Sequence, residues 1–149
     1  MKINRNINTT IITDDNTQVL RELSSEVVIS NLEQLKSVKT NFIVFDDAIR
    51  TLSFHDKEVF FNNMEAQNIH FINITSNLEE ALYAHELKVI RKGKVLLEGS
   101  TISVLKEERI LKRLGYKLPF IVDLSLQLNS YGIIDSIFLD EELLVNKLW

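Results

Sequence analysis

The absence of glycine from the first 92 residues constrains the loops that this chain can form. Its four glycines are Gly93, Gly99, Gly115 and Gly132, so every earlier turn is built from residues that carry a side chain. A glycine-rich loop lets backbone N–H groups surround a phosphate at a helix N-terminus, and no such loop precedes Gly93. The spacing GxxxxGK[ST] occurs nowhere in the chain.

Composition predicts one folded domain and excludes several functions. A chain of 149 residues, 45% of them apolar, is long enough to bury a core. Its net charge is −4 and its 17 Lys and Arg residues are scattered, so we expect no nucleic-acid partner. The lack of cysteine excludes disulfides and thiolate chemistry and fits a reducing compartment. No apolar run approaches the roughly 20 residues of a membrane span, and Met1–Arg5 leads into no signal-peptide core, so we expect a cytoplasmic protein.

Short apolar runs alternate with amphipathic segments, which predicts an α/β fold with a mainly parallel sheet and flanking helices. Strands are predicted at 9–13, 26–30, 42–45 and 70–74, and an antiparallel hairpin at about 87–97 closes one edge. Predicted helices cover 17–23, the region of Leu32, Leu35 and Val38, 57–66, 78–84, 101–114, 119–129 and 140–148. We expect residues 1–99 to form the α/β core and residues 100–149 to form a helical C-terminal extension.

The strand Phe42–Phe45 is apolar throughout and is followed by Asp46 and Asp47. Such a strand is typical of the covered interior of a sheet. The two carboxylates either accept backbone N–H groups at the strand end or face a ligand, since ligands bind at the carboxyl ends of parallel strands. Ser76 or Asn77 is expected to cap a helix. His55, His70 and His85 lack the spacing of metal ligands, so no histidine metal site is expected.

Five segments together resemble the second half of ABC transporter ATPases, specifically those of energy-coupling-factor importers for cobalt or vitamins. FIVFDD at 42–47 resembles their Walker B strand, and 49–53 takes the position of the D-loop. FINITSNLEEALYA at 71–84 resembles the switch segment, and LKVIRKGKVLLEGS at 87–100 the hairpin after it. LKRLGYKLPFIVDLSLQLNSYGI at 111–133 resembles the C-terminal extension, which leads to a pair-forming surface. The resemblance runs from residue 42 to about residue 145.

The resemblance also implies roles for particular residues. In these ATPases the Walker B aspartate organises Mg²⁺, the next glutamate activates water and the switch histidine contacts the γ-phosphate. These positions are Asp46, Asp47 and Ser76 here, and Ser53 takes the place of the D-loop aspartate. Asp47 is one methylene shorter than glutamate, a displacement of about 1 Å that can cost about 100-fold in rate. The segment 22–26, ELSSE, is at best a remnant of the LSGGQ signature.

We therefore expect a non-hydrolysing binding, regulatory or dimerisation subunit of an importer, with no catalytic residue. Asp46, Asp47 and Ser76 are degenerate nucleotide positions, and Asp46 is a Mg²⁺ ligand only if nucleotide binds. No cofactor is expected on the chain alone, and Mg-ATP binds only weakly or in complex with an intact ATPase. The expected partners are a second copy or an intact ABC ATPase, at the inner face of the membrane.

The tail provides the predicted pairing surface. More apolar side chains occur there than one helix needs to dock on a small domain, which is typical of an interface. Their alternative role is ordinary tail core, and the sequence leaves both open. The predicted interface residues are Leu118, Phe120, Ile121, Leu124 and Leu128.

A receiver domain of two-component signalling is the alternative from another class. Asp14-Asp15, Asp46, Thr75 and Lys92 each follow a predicted strand, and Asp46 would then be the phosphorylated aspartate. The spacing is short for that family, because only 31 residues separate Asp15 from Asp46. The receiver reading also leaves the tail unexplained. An α/β domain of unrelated function is the remaining option.

Overall fold

A computed structural model describes all residues from 1 to 149 and contains one six-stranded sheet. The strand order is β2-β3-β4-β1-β5-β6. The strands are β1 (Thr9–Thr13), β2 (Val28–Ile29), β3 (Phe42–Asp46), β4 (His70–Thr75), β5 (Glu86–Arg91) and β6 (Lys94–Ser100). All neighbouring pairs are parallel except β5 and β6, which form an antiparallel hairpin. The fold class predicted from the sequence, including the antiparallel edge hairpin, is confirmed.

Most of the helices follow a residue whose side chain caps them. The α-helices are α1 (Asn16–Glu22), α2 (Phe54–Ala66), α3 (Thr101–Leu105), α4 (Glu108–Arg113), α5 (Phe120–Ser130) and α6 (Glu141–Leu148), and Leu32–Ser37 and Leu78–Tyr83 are 3-10 helices. Asp15, Ser53 and Asp140 each accept a backbone N–H from the first turn of the helix that follows. These short polar side chains satisfy donors that a helix start leaves free. The exceptions, α4 and α5, have no side-chain cap.

Both faces of the sheet are covered, which makes the molecule three layers thick. Alternate side chains of β3 divide between the faces, as the pleat requires. Ile43 and Phe45 pack with α2, whereas Phe42 and Val44 pack with the buried side chains of α1. The face that carries α2 also carries the C-terminal helices, which pack on Ile12. The expectation that β3 is covered on both sides is confirmed.

The tail does not form the single helix predicted over 101–114. It breaks between α3 and α4, at Lys106 and Glu107. Leu105 and Leu111 are both fully buried, but six residues of continuous helix would place them about 120° apart around the axis. The break lets both side chains reach one core.

The buried face of α2 also differs from the expectation. The helical spacing of Val59, Phe60 and Met64 in the sequence predicts that these three form its apolar face. The buried residues are Lys57, Phe61 and Met64, and Phe60 is half-buried against the same core. Val59 is exposed, because the charged Lys57 has a buried partner and takes an inward position. The remaining differences are shifts of strand and helix ends by up to three residues, and β2 keeps two of its five predicted residues. No helix of the chain has the length and apolar character needed to cross a bilayer.

Candidate functional site

The carboxyl ends of β1, β3 and β4 meet at one edge of the sheet, which we call the polar edge. Because these strands are parallel, the residues that follow them lie side by side there. The polar edge consists of Asp14, Asp15, Asn16, Asp46, Asp47, Thr75 and Ser76. Asn16, the first residue of α1, donates its side-chain amide to Asp46 Oδ1 at 2.8 Å. This contact joins the β1–α1 loop to the end of β3.

Two carboxylates in the loop between β1 and α1 accept backbone N–H groups. Asp15 Oδ1 accepts the N–H of Thr17 at 3.0 Å and caps α1. Asp14 Oδ1 accepts the N–H of Lys92 at 3.4 Å from the turn between β5 and β6. A free helix N-terminus attracts anions, because its N–H groups and the helix dipole favour negative charge. Here a protein carboxylate already takes that place.

Asp47 lies just past the end of β3 in a left-handed backbone conformation, with φ of 51°. Its N–H donates to Ile74 O at 2.8 Å, which ties it to β4. Its carboxylate lies 3.5 Å from the exposed guanidinium of Arg50. Burial raises the pKa of Asp47 above its usual value, and Glu80 and Asp46 raise it further, while Arg50 and Lys57 lower it.

Buried ionic groups close to Asp47 are a feature that the sequence analysis missed. Lys57 Nζ lies 3.0 Å from Glu80 Oε2, and Asn73 Nδ2 donates to Glu80 Oε1 at 2.9 Å. Glu80 is 1% exposed and Lys57 8% exposed, so both charges are removed from water and each needs the other. From the sequence alone, Glu80 is an acidic residue in the first turn of its helix, where it favours the helix start. No local pattern predicts the pair, since its two members are 23 residues apart.

Ser76 and Ser53, the other polar residues that the sequence singled out, do not lie in an enclosed pocket. Ser76 is exposed, and the cap of its helix is Asn77, which accepts the N–H of Glu79 at 3.0 Å. Ser53, in the D-loop position, caps α2. Nowhere in the chain are three His, Cys, Asp or Glu side chains grouped so that they could hold a metal ion. The structure thus brings Asp46 and Asp47 to the polar edge, with Ser76 at the end of the neighbouring strand.

The predicted interface residues of the tail divide into three classes of exposure. Leu118 and Ile121 lie within the core of the chain, at 4% and 5% exposed. Leu124 and Leu128 are half-buried and pack against the same core. Phe120 is 67% exposed. Of these five residues, only Phe120 offers a largely exposed apolar side chain.

Known proteins with similar sequences are ATP-binding proteins of one class of transporter. The chain is 33% identical over 119 residues to the energy-coupling factor transporter ATP-binding protein EcfA1 of Lactobacillus delbrueckii subsp. bulgaricus, covering 76% of this chain and 42% of that protein. The EcfA1 proteins of Halalkalibacterium halodurans and Geobacillus kaustophilus are 32% identical over 117 residues and 30% identical over 118, with the same coverage. The chain thus spans about two-fifths of the length of these relatives. No protein-family model matches the chain.

Two solved structures are similar over about half of the chain. One is a bacterial Atm1-family ABC exporter with ATP bound, with a TM-score of 0.45 and 19% identity, covering 53% of this chain and 15% of that one. The other is cbiO1 from Clostridium perfringens, part of the ABC transporter complex cbiONQ, with a TM-score of 0.40 and 18% identity, covering 50% and 32%. The family resemblance identified in the sequence is confirmed by the sequence relatives, independently of these superpositions.

Proposed function

This chain is homologous to the ATP-binding protein EcfA1 of energy-coupling factor transporters over part of that protein's length, and we propose that it is a non-hydrolysing pairing subunit of such a transporter. In this role it contributes contact surface to an intact ATP-binding subunit at the inner face of the membrane. It neither binds ATP tightly nor cleaves it by itself. The observation that carries the proposal is the carboxylate-bearing loop between β1 and α1.

Nucleotide phosphates need a strand–loop–helix unit whose loop offers backbone N–H groups and a lysine. The β1–α1 unit has the right succession of elements and lies beside Asp46, as the contact from Asn16 shows. Its loop is Asp14-Asp15, which carries two negative charges and no glycine. The N–H of Thr17 is already bonded to Asp15. The residues present do not fit a triphosphate, because a phosphate would have to displace one carboxylate and lie beside others.

The residues at the end of β3 also favour a role without hydrolysis. Asp46 is engaged by the amide of Asn16, and Asp47 is held by Ile74 and lies near Arg50. A general base for hydrolysis must reach the attacking water, and aspartate is shorter than the glutamate of the family. The buried Lys57–Glu80 pair links the 3-10 helix Leu78–Tyr83 to α2 close to Asp47. These contacts favour a structural role for the polar edge over a catalytic one.

Calorimetry tests the proposal directly. Mg-ATP titrated into the purified chain is expected to show no dissociation constant tighter than about 1 mM, equivalent to about −4 kcal/mol. An EcfA1 relative measured in the same buffer is the positive control. The Asp15→Asn variant, which keeps an N-cap but removes one negative charge, is expected to bind no better, because the loop still lacks glycine and lysine. A micromolar dissociation constant for the unmodified chain contradicts the proposal.

A further inference from the structure

A cleft with a volume of about 780 Å³ lies at the end of the molecule opposite the polar edge. It is bounded by α2, the 3-10 helix Leu78–Tyr83, the start of α5 and the start of α6. Asn8, His70 and His85, at the amino ends of β1, β4 and β5, are among its lining residues. This volume falls within the roughly 300–1,000 Å³ typical of small-molecule sites.

Aromatic rings line the cleft along one face of α2. Phe54 and Phe61, with Glu58 and Glu65 between and beyond them, recur at the spacing of one helix face. Phe61 stacks on Tyr83, with ring centroids 4.6 Å apart and an interplanar angle of 17°. Phe54 is 55% exposed. The cleft therefore offers ring surface that no side chain of the protein covers.

The charged side chains that line the cleft are all carboxylates, and two histidines lie among them. No lysine or arginine is among them. The phenol oxygen of Tyr83 is buried without a hydrogen-bond partner. Burial raises the pKa of Tyr83 to about 12, with further contributions from Glu58, Glu79 and Glu80, as expected where the local potential is negative. The carboxylates of the cleft belong to Glu58, Glu65, Glu79, Asp140, Glu141 and Glu142.

We propose that this cleft binds an aliphatic polyamine. Charge complementarity selects the occupant, since several separated carboxylates match several ammonium groups on one flexible chain. The methylene segments of such a ligand would pack on the exposed rings, and its ammonium groups would gain from the ring faces of Phe54 and Phe120. Anionic ligands are repelled by the same field. The site is independent of nucleotide chemistry, because it lies at the other end of the strands from Asp46.

Titration of spermidine into the full chain at low salt, followed by calorimetry, tests the proposal. We expect one saturable site with a micromolar dissociation constant. Glu58→Gln with Glu79→Gln should weaken binding at least about tenfold, and Phe54→Ala should weaken it about threefold, because carboxylates and ring both contact the ligand. Glu33→Gln with Asp135→Asn removes the same charge outside the cleft and should leave the affinity unchanged. All these side chains belong to exposed residues, so the variants should fold, as circular dichroism would verify.

Two results would overturn the inference. Equal weakening by the cleft pair and by the control pair would mean that spermidine responds only to net charge. The second result comes from sedimentation of the chain without spermidine binding. If the unmodified chain is a dimer and the variant Glu58→Gln with Glu79→Gln is a monomer, the cleft binds basic residues of a second copy instead. An effect of Phe54→Ala on spermidine affinity, with none from the control pair, supports a built polyamine site.

Discussion

Asp47 combines a left-handed backbone with a partly buried carboxylate. The backbone restricts which residue types fit at this position, and the burial disfavours a charge there. Asparagine and aspartate tolerate positive φ better than most residues, so the backbone alone does not need the charge. The carboxylate is opposed by burial and by the neighbouring Glu80 and Asp46. Its contact with the exposed Arg50 is long, at 3.5 Å, and surface ion pairs of this kind contribute little. The charge at residue 47 is therefore a cost to folding.

This cost gives Asp47→Asn a pH-dependent effect on stability. Since the folded pKa of Asp47 is raised, the folded state keeps a proton that the unfolded state has lost, and the free energy of unfolding falls as pH rises above 3.8. We expect the variant to be the more stable protein at pH 7 and to lose this advantage below pH 3.8. Urea denaturation across pH measures the difference. Asp135→Asn, at an exposed turn, is the control and should leave the profile unchanged; a less stable Asp47→Asn at pH 7 would contradict the expectation.

At the scale of elements, α5 shows that a local apolar pattern predicts a helix without deciding which of its side chains face the core. The apolar residues in and just before this helix were expected either to pair with another chain or to pack in the core, and Leu118 and Ile121 lie in the core. Only Phe120 faces outward as a large free side chain. Any pairing through α5 therefore depends on Phe120 and the half-buried Leu124 and Leu128.

Phe120→Glu tests pairing through this helix. A charge on an exposed ring position should not unfold the chain, but it should weaken self-association or pairing with an EcfA1 protein at least about tenfold if Phe120 is buried in the pair. Analytical ultracentrifugation of the chain, alone and mixed with purified EcfA1, measures the effect. Val59→Glu, at an exposed apolar position of α2 outside the cleft that Phe54 and Phe120 line, is the matched control. A monomeric unmodified chain at tens of micromolar that does not pair with EcfA1 would rule out this role of the tail.

The elements themselves could be predicted because their signals are local. Buried strands such as β3 are continuous apolar runs, and the start of α1 follows the capping residue Asp15. The cap of α2 was not predicted, because Ser53 was assigned only to the D-loop position and the helix was expected to begin at residue 57. The contacts of the site are not local in sequence. Asn16 meets Asp46 across 30 residues and Lys57 meets Glu80 across 23, so only the strand order brings them together. The fold class predicts that the ends of parallel strands lie at one edge of the sheet. It does not predict which side chains form hydrogen bonds there.

At the scale of the whole molecule, the sheet and the tail share one core. Ile12 of β1, Leu87 of β5, Leu111 of α4 and Val122 of α5 belong to the same buried cluster. The domain boundary near residue 100 remains a prediction. In the structure, residues 1–99 and residues 100–149 pack together in this one core. Elements that share a core of this kind unfold together in small domains.

Leu111→Ala tests this coupling. The side chain is fully buried, so its truncation should cost about 2–5 kcal/mol in the free energy of unfolding. Hydrogen exchange should show the loss equally at amides of β1 and α5. Ile110→Ala, at the neighbouring exposed position, should cost less than about 1 kcal/mol. Exchange that accelerates in α5 while β1 keeps its protection would show that the tail is an independent unit.

The two outer strands decide how copies of this protein behave when crowded. An unpaired strand edge can template the growth of aggregates. On one side β2 has only two residues, too few to align an incoming strand. On the other, β6 exposes Val95 and Leu96, but Lys94 and Glu98 flank them and the register shifts at Val89/Ile90. Short length, charge and irregular register are recognised protections against fibril formation, so the protein should remain dispersed at concentrations where a flat apolar edge would aggregate.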